Sequence, residues 1–289
     1  MWLLLSFLSA TLLGFYDVFK KLSLRDNAVM PVLFLNTLFS TLVFLPVIIS
    51  TAPDFCWEQQ RLIVLKSAIV LASWIFGYLG IKNLPITIVG PINATRPVWV
   101  LVGALLMFGE RLNLWQWSGV ILTVTSVYLL SRSGRREGIR FAHNRWIYHV
   151  ILAAILGAIS ALYDKYLMAP LGQGAGIDRW LVQSWDNLYQ MLFMGIVLLT
   201  QRHFSRRFHW HWAILCISIF LSAADYAYFQ ALSLDDALIS VVSMIRRGSV
   251  LVSFCFGAMV FHEKNLRSKA FDLALVFISM LLLYLGSSQ

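Results

Sequence analysis

The chain reads as long apolar stretches separated by short polar breaks. A helix that crosses a bilayer needs about 20 mostly apolar residues. Ten stretches meet that requirement, near 2–22, 30–50, 62–82, 86–108, 114–132, 146–168, 178–200, 210–233, 237–260 and 268–286. They predict an all-α integral membrane protein with ten transmembrane helices. The first stretch has no basic leader region or cleavage site and runs on into Tyr16-Asp17-Val18-Phe19-Lys20. It is expected to be a mature first helix, not a removed signal peptide. The longest polar stretch, 133–145, leaves no room for a soluble domain.

The polar landmarks recur. Tyr16-Asp17 in helix 1 matches Tyr163-Asp164 in helix 6, and Asn36 in helix 2 matches Asp186 in helix 7. Arg96 in helix 4 matches Arg247 in helix 9, and Glu110-Arg111 matches Glu263-Lys264. The spacing between partners grows steadily along the chain, as a few small insertions would produce. The expected division is a first five-helix repeat over 1–132, a basic connection over 133–145 and a second five-helix repeat over 146–289. Five is odd, so the second repeat enters the membrane from the opposite face. Two inverted halves are the plan of many alternating-access transporters.

Composition closes off the alternatives. Hydrophobic residues make up 59% and charged residues 13%, with a mean hydropathy of +0.74. Soluble domains carry about 25% charge. The net charge of +9 suggests nucleic acid until the positions are read. Most basic residues fall in short runs between apolar stretches, as in Ser131-Arg132-Ser133-Gly134-Arg135-Arg136. Such runs hold helix ends at an anionic cytoplasmic leaflet. Fifteen Lys and Arg sit in one set of loops and five (Arg61, Lys66, Arg111, Lys165, Arg179) in the other. That bias puts 133–145 in the cytoplasm and both termini outside. Cys56, Cys216 and Cys255 are scattered and form neither a metal cluster nor a disulfide framework.

The stretch Phe108-Gly109-Glu110-Arg111-Leu112, followed by Trp115-Gln116-Trp117-Ser118-Gly119, is similar to the helix 4–5 pattern of the EamA-like branch of the drug/metabolite transporter superfamily. The second half keeps Phe261-His262-Glu263-Lys264 but has Ser268-Lys269-Ala270-Phe271 where the following Gly would stand. The resemblance covers essentially the whole chain and implies a ten-helix secondary transporter. It specifies substrate poorly.

Charges inside hydrocarbon cost roughly 2.5–3.5 kcal/mol each on insertion scales, so the intramembrane ones mark candidate chemistry. Gln183, Asp186, Asn187 and Gln190 share one face of helix 7. They either line an aqueous path or hydrogen-bond neighbouring helices. Asn36 and Ser40 form the milder counterpart on helix 2. Helix 4 carries Pro91 and Pro97, which should kink or break it near Asn93 and Arg96. Helix 9 offers Ser240, Ser243 and Arg247 on one face without a proline, and the match to Arg96 points Arg247, more than Arg246, at the cavity. Arg96 and Arg247 could clamp a carboxylate or phosphate, or pair internally with Asp186 or Asp225. Helix 8 sets Asp225, Tyr228, Phe229 and Leu232 on one face, and its counterpart in helix 3 is Trp74, Gly77 and Tyr78. A carboxylate beside aromatics suits an amine. Asp17 and Asp164 read as gate or helix-end ion pairs, or as coupling sites, and Glu110 and Glu263 as helix-end caps. Ala153, Gly157 and Ala161 allow close helix packing.

No HExxH, phosphate-binding glycine loop, nucleophile elbow or Cys–His pair is present, so no enzyme activity, metal or cofactor is expected. The leading expectation is a transporter in a plasma membrane of bacterial inner-membrane type, exporting amino acids or similar zwitterions. Its partners are the lipid bilayer, the small-molecule substrate and protons as a coupling ion, with no nucleic acid, and it works as a monomer or homodimer. The alternatives are phosphorylated or nucleotide-sugar substrates, or a lipid-linked sugar flippase.

Overall fold

The computed structural model describes residues 2–52, 56–96, 98–100, 113–135, 143–168, 174–200, 208–232, 245–261 and 266–287. Among them the elements are α1 (Trp2–Ser23), α2 (Val29–Thr51), α3 (Trp57–Asn83), α4 (Ile86–Ala94), α5 (Leu114–Arg135), α6 (Arg145–Met168), α7 (Arg179–Thr200), α8 (Trp212–Leu232), α9 (Ser249–Phe261) and α10 (Leu266–Ser287). Each falls within or across one apolar stretch read from the sequence. By length and composition, α1, α2, α3 and α6 are long and apolar enough to cross a membrane. Gly109, Glu110, Arg111, Ser240, Ser243, Glu263, Lys264 and most of the basic connection lie outside the described residues, as do the side chains of Phe229 and Leu232.

The distribution of polarity is inverted relative to a water-soluble protein. Large apolar side chains face outward, among them Leu4, Phe7, Ile49, Leu114, Val124 and Leu199. Inside are Asn36, Gln60, Lys66, Asp186 and Gln190, and a row of serines and threonines. Buried polar groups need partners, and many here come from the backbone of a facing helix. Ser9 Oγ donates to the Ala224 carbonyl at 2.6 Å, Ser73 Oγ to Ala153 at 2.8 Å, and Ser126 Oγ to Asp272 at 2.6 Å. Thr41 Oγ1 reaches the Asn187 carbonyl at 3.0 Å.

Those bonds trace four helix pairs, α1 with α8, α2 with α7, α3 with α6 and α5 with α10, and α4 packs on α9. Small residues set how closely they approach. A Cβ on Gly80 of α3 would stand 2.2 Å from Val150 Cγ2 of α6, and one on Gly257 of α9 would stand 2.2 Å from Ile86 Cγ2 of α4. This is the packing lipid demands, because helix association there rests on van der Waals fit and not on expelling water.

Helix ends are tied by side chains at one rim. Lys21 Nζ donates to the carbonyls of Ile81 and Leu84, both at 2.5 Å. Asn27 bridges Ser23 and His209 through both ends of its amide.

Two helices break near the middle. After Pro91, α4 stops at Ala94. Thr95 turns the chain, with its N–H and Oγ1 both donating to the Ile92 carbonyl, at 3.1 and 2.7 Å. Arg96 follows directly. The break was expected from the prolines; Pro97 itself lies outside the described residues. The second break was not expected. The ninth stretch has no proline, yet the chain turns at Gly248, whose N–H donates to the Ile245 carbonyl at 2.8 Å before α9 begins. A Cβ there would lie 2.7 Å from that carbonyl oxygen. Glycine is what permits the turn, and it places Arg247 at the break.

Close approach makes a direct prediction. A Cβ on Gly14 of α1 would meet Val252 Cβ at 2.5 Å and the Ser249 carbonyl oxygen at 2.8 Å, whereas one on Gly77 meets nothing nearer than Ala153 Cβ at 3.7 Å. Gly14→Ala should destabilise the protein by about 1–3 kcal/mol through overpacking. Gly77→Ala should leave stability unchanged or raise it, since alanine favours helix. Thermal unfolding in detergent compares the two, and equal melting temperatures would contradict the close α1–α9 contact.

Candidate functional site

A cavity of about 240 Å³ lies between the helices. Its walls come from α1, α3, α4, α6, α7, α8 and the start of α9, together with Arg96, Arg246 and Arg247 at the two breaks. Of the residues singled out from sequence, it gathers Arg96, Arg247, Asp186, Asn187, Gln190, Asp225, Tyr228, Trp74, Tyr78, Asn93, Asp17 and Asp164. Asn36 is placed elsewhere. It is fully buried between α2 and α8, where Ser218 Oγ donates to its Oδ1 at 3.1 Å and to its backbone carbonyl at 3.2 Å. Its polarity serves helix packing.

Among the described residues nine charged side chains reach the cavity wall: four aspartates, three arginines and two lysines. Asp17 accepts from Lys20 at 2.6 Å, and the Lys20 ammonium lies 4.3 Å from the Tyr16 ring centroid and 5.2 Å from that of Tyr78. Asp225 pairs with Arg246, whose guanidinium sits 4.2 Å from the Tyr228 ring centroid. Asp186 is held by three donors: Lys66 Nζ at 3.0 Å, Ser67 Oγ at 2.7 Å and Gln190 Nε2 at 2.8 Å. Lys66 Nζ also lies 3.4 Å from Asp164 Oδ1.

Two basic residues are not where the loop count put them. Lys66 is 5% exposed, at the centre of the α3–α6–α7 contact, and Lys20 is 8% exposed within the last turns of α1. Neither anchors a loop at a leaflet. The correction removes one residue from each side of the charge count, so the bias survives. Asp164 has a cation from α3, Lys66, beside it; the side chain of the adjacent Lys165 lies outside the described residues. Arg246 pairs with Asp225, and both adjacent arginines reach the cavity.

Neither internal pairing considered for Arg96 and Arg247 forms. Asp186 goes to Lys66 and Asp225 to Arg246, so Arg96 and Arg247 have no carboxylate partner among the described residues. Arg96, Arg246 and Arg247 lie within electrostatic reach of one another. Arg96 lies against Gly157 of α6: a Cβ there would stand 2.6 Å from its Cζ and 2.9 Å from its Nε. Gly157 does allow close approach, but to a guanidinium and not only to a helix. Several buried polar atoms of the wall have no hydrogen-bond partner, including Arg96 Nε, Asn93 Oδ1, Gln183 Nε2 and Gln190 Oε1. Orphaned groups of this kind, converging on one cavity, are what a polar ligand satisfies.

Lys66 is the main residue that sequence reasoning missed. A stripe argument could have found it: Lys66, Val70, Ser73, Trp74 and Gly77 recur at helical spacing on α3, and all line the cavity.

Removing one partner of a buried ion pair costs about 3–5 kcal/mol, because the other charge stays buried alone. Lys66→Met should therefore lower the melting temperature sharply. Adding Asp186→Asn, which removes the stranded charge, should recover part of the loss. No recovery in the double variant would show that Lys66 and Asp186 are not coupled.

Comparison with known proteins places this geometry. An uncharacterized transporter of Archaeoglobus fulgidus is 25% identical over 168 residues, 57% of this chain. The match spans 59% of that relative's length. A solved crystal structure aligns over 97% of this chain and 99% of its own, with a TM-score of 0.61 and 14% identity, which shows a shared fold. Residues 1–132 match the EamA-like transporter family, in agreement with the resemblance carried by the helix 4–5 motif, so this is an integral membrane protein whose first half bears the sequence of that family.

Proposed function

We propose that the protein is a secondary transporter of small zwitterionic metabolites, with neutral amino acids as the leading class, moved by alternating access. The observation that carries this reading is the distribution of charge in the cavity. Arg96 and Arg247 present guanidinium donors without a carboxylate partner among the described residues, which suits a carboxylate. The Lys66 cluster opposes one cation to two carboxylates, which suits an ammonium. Leu13, Val70, Val89, Leu221 and Val250 supply apolar wall between them, suited to an aliphatic side chain.

The inverted-repeat organisation, with halves at 1–132 and 146–289 joined by 133–145, supports alternating access. The pairings α1–α8 and α3–α6 exchange with each other when the halves are swapped, and α2–α7, α4–α9 and α5–α10 map onto themselves. Paired contacts run antiparallel: Phe34 faces Gly195 while Thr41 meets Asn187, and Gly80 faces Val150 while Gly77 meets Ala153. Both traits are what a two-fold axis in the membrane plane requires. The breaks at Thr95 and Gly248 are the natural hinges, since helices bend where the hydrogen-bond ladder is interrupted.

A second reading is favoured by the clustering of Arg96, Arg246 and Arg247, because three guanidiniums also suit a phosphate group. A thermal-shift panel on purified protein separates the two, using L-leucine, L-glutamate, a sugar phosphate and a nucleotide sugar. Stabilisation by leucine alone supports the zwitterion; stabilisation by the phosphorylated compounds replaces it. In proteoliposomes, Arg247→Ala, Arg96→Ala and Asp225→Asn should each reduce leucine transport at least tenfold without preventing insertion. Gly157→Ala, which crowds the Arg96 guanidinium, should raise KM more than it lowers kcat. Normal transport by both arginine variants would refute the assignment.

A further inference from the structure

The cluster formed by Asp164 of α6, Lys66 of α3 and Asp186 of α7 is unbalanced. One ammonium serves two carboxylates, and all three groups line the same cavity. The two carboxylates are not equivalent. Asp186 accepts from Lys66, Ser67 and Gln190 at 2.7–3.0 Å, which accounts for most of the lone-pair positions of an ionised carboxylate. Asp164 holds Lys66 only at 3.4 Å, and its Oδ1 is buried without a hydrogen-bond partner. The surplus negative charge therefore belongs to Asp164.

Among the described residues nothing nearby supplies the missing cation; the side chain of the adjacent Lys165 lies outside them. Asp225 and Tyr228 of α8 also face Asp164, but Asp225 is already matched by Arg246 and Tyr228 is neutral. Across the cavity Asp17 is matched by Lys20. The remaining cations, Arg96 and Arg247, stand at the helix breaks among the guanidiniums. Lys20–Asp17 and Arg246–Asp225 are one-to-one pairs, whereas Asp164 shares a lysine that Asp186 holds more closely.

We infer that Asp164 is the coupling residue, taking one proton per transport cycle, and that Lys66 is its shared counter-ion. This rests on the transport reading above for its role in the cycle, though the proton site stands on the cluster alone. A proton entering from water binds the Asp164 carboxylate and leaves the cluster neutral, with Lys66 facing only Asp186. The same surplus charge is what the substrate ammonium needs. The cluster can therefore satisfy one added positive charge at a time, a proton or an ammonium. Occupation in turn is exchange: the proton moves one way and the zwitterion the other, with no chemical bond made or broken beyond the O–H of the carboxyl group.

Two measurements test this on the full-length protein in lipid. The first is an acid-minus-alkaline infrared difference spectrum without substrate. Asp272 is also buried with its Oδ2 unpartnered, so the comparison is made in an Asp272→Asn background, where the spectrum should show the band of one weakly hydrogen-bonded protonated carboxyl group. Asp164→Asn should lose it and Asp17→Asn should keep it. Persistence of the band in Asp164→Asn overturns the proton site. If that variant fails to fold, the Lys66→Met, Asp186→Asn double variant removes the counter-ion of Asp164 and should shift the titration of the band to higher pH, and a band that titrates as in the wild type overturns the site equally. The second measurement is radiolabelled L-leucine transport in proteoliposomes. Wild type should concentrate leucine against an imposed pH gradient. Asp164→Asn should still exchange leucine, with KM raised several-fold, while gradient-driven accumulation falls at least tenfold. Accumulation at the wild-type level overturns the coupling role. If leucine moves through neither protein, it is the substrate reading that fails, and the infrared result still decides the proton site.

Discussion

The constraint beneath this structure is the cost of charge in a medium that cannot solvate it. A lone ion at the centre of a bilayer costs several kcal/mol, and a chain tolerates it only if it is paired or faces a cavity. Among the described residues nine charged side chains converge on a single cavity, and the outward surfaces are left to Leu, Phe, Ile and Val. Three arrangements absorb most of that charge: Asp17 with Lys20, Asp225 with Arg246, and Lys66 with Asp164 and Asp186. What remains among the described cavity residues is two arginines without carboxylates and one carboxylate without its own cation. That remainder is what the proposed zwitterionic ligand would match.

Backbone geometry supplies the positions. Arg96 follows the end of α4 at Thr95, and Arg247 precedes the start of α9 at Gly248. In each case an i to i−3 hydrogen bond tightens the turn where the regular ladder ends. Interrupted helices are tolerated in lipid only against protein or a cavity, so the breaks and the cavity require each other. One break is made by Pro91 and the tight turn at Thr95, the other by a glycine whose Cβ would collide with a carbonyl. The same local effect is reached by different residues, which is why the second was not visible as a proline pattern.

Sequence periodicity was informative where a residue type is improbable in its setting. The Gln183–Gln190 stripe and Arg96 and Arg247 stood out because hydrocarbon should exclude them, and all line the cavity. It was less informative where position admits two explanations. Lys66 and Lys20 lie near the ends of apolar stretches, where a long basic side chain normally snorkels to the interface; the stripe on α3 hints at Lys66, and tertiary structure shows that both turn inward. Asn36 was ambiguous in the other direction. A polar residue on a helix face signals a partner but not whether that partner is a ligand or, as here, Ser218 of α8. Small residues were ambiguous in the same way: Gly157 reads as helix packing until the Arg96 guanidinium is found against it.

The partial breakdown of the repeat carries the last step. Asp17 and Asp164 occupy matching places in the two halves and line one cavity, yet their surroundings differ. Asp17 has a lysine one turn along its own helix, which no rearrangement of helices can remove. Asp164 depends on a lysine from α3 that it shares with Asp186 of α7, so any relative motion of α3, α6 and α7 changes how much positive charge it receives. A local pair is insensitive to conformation; a pair assembled across helices reports it. A perfectly symmetric protein would make both carboxylates equally labile or equally fixed. The difference makes Asp164 the one whose pairing would change with any shift of α3 against α6 and α7, which is the property our proposal asks of a coupling residue.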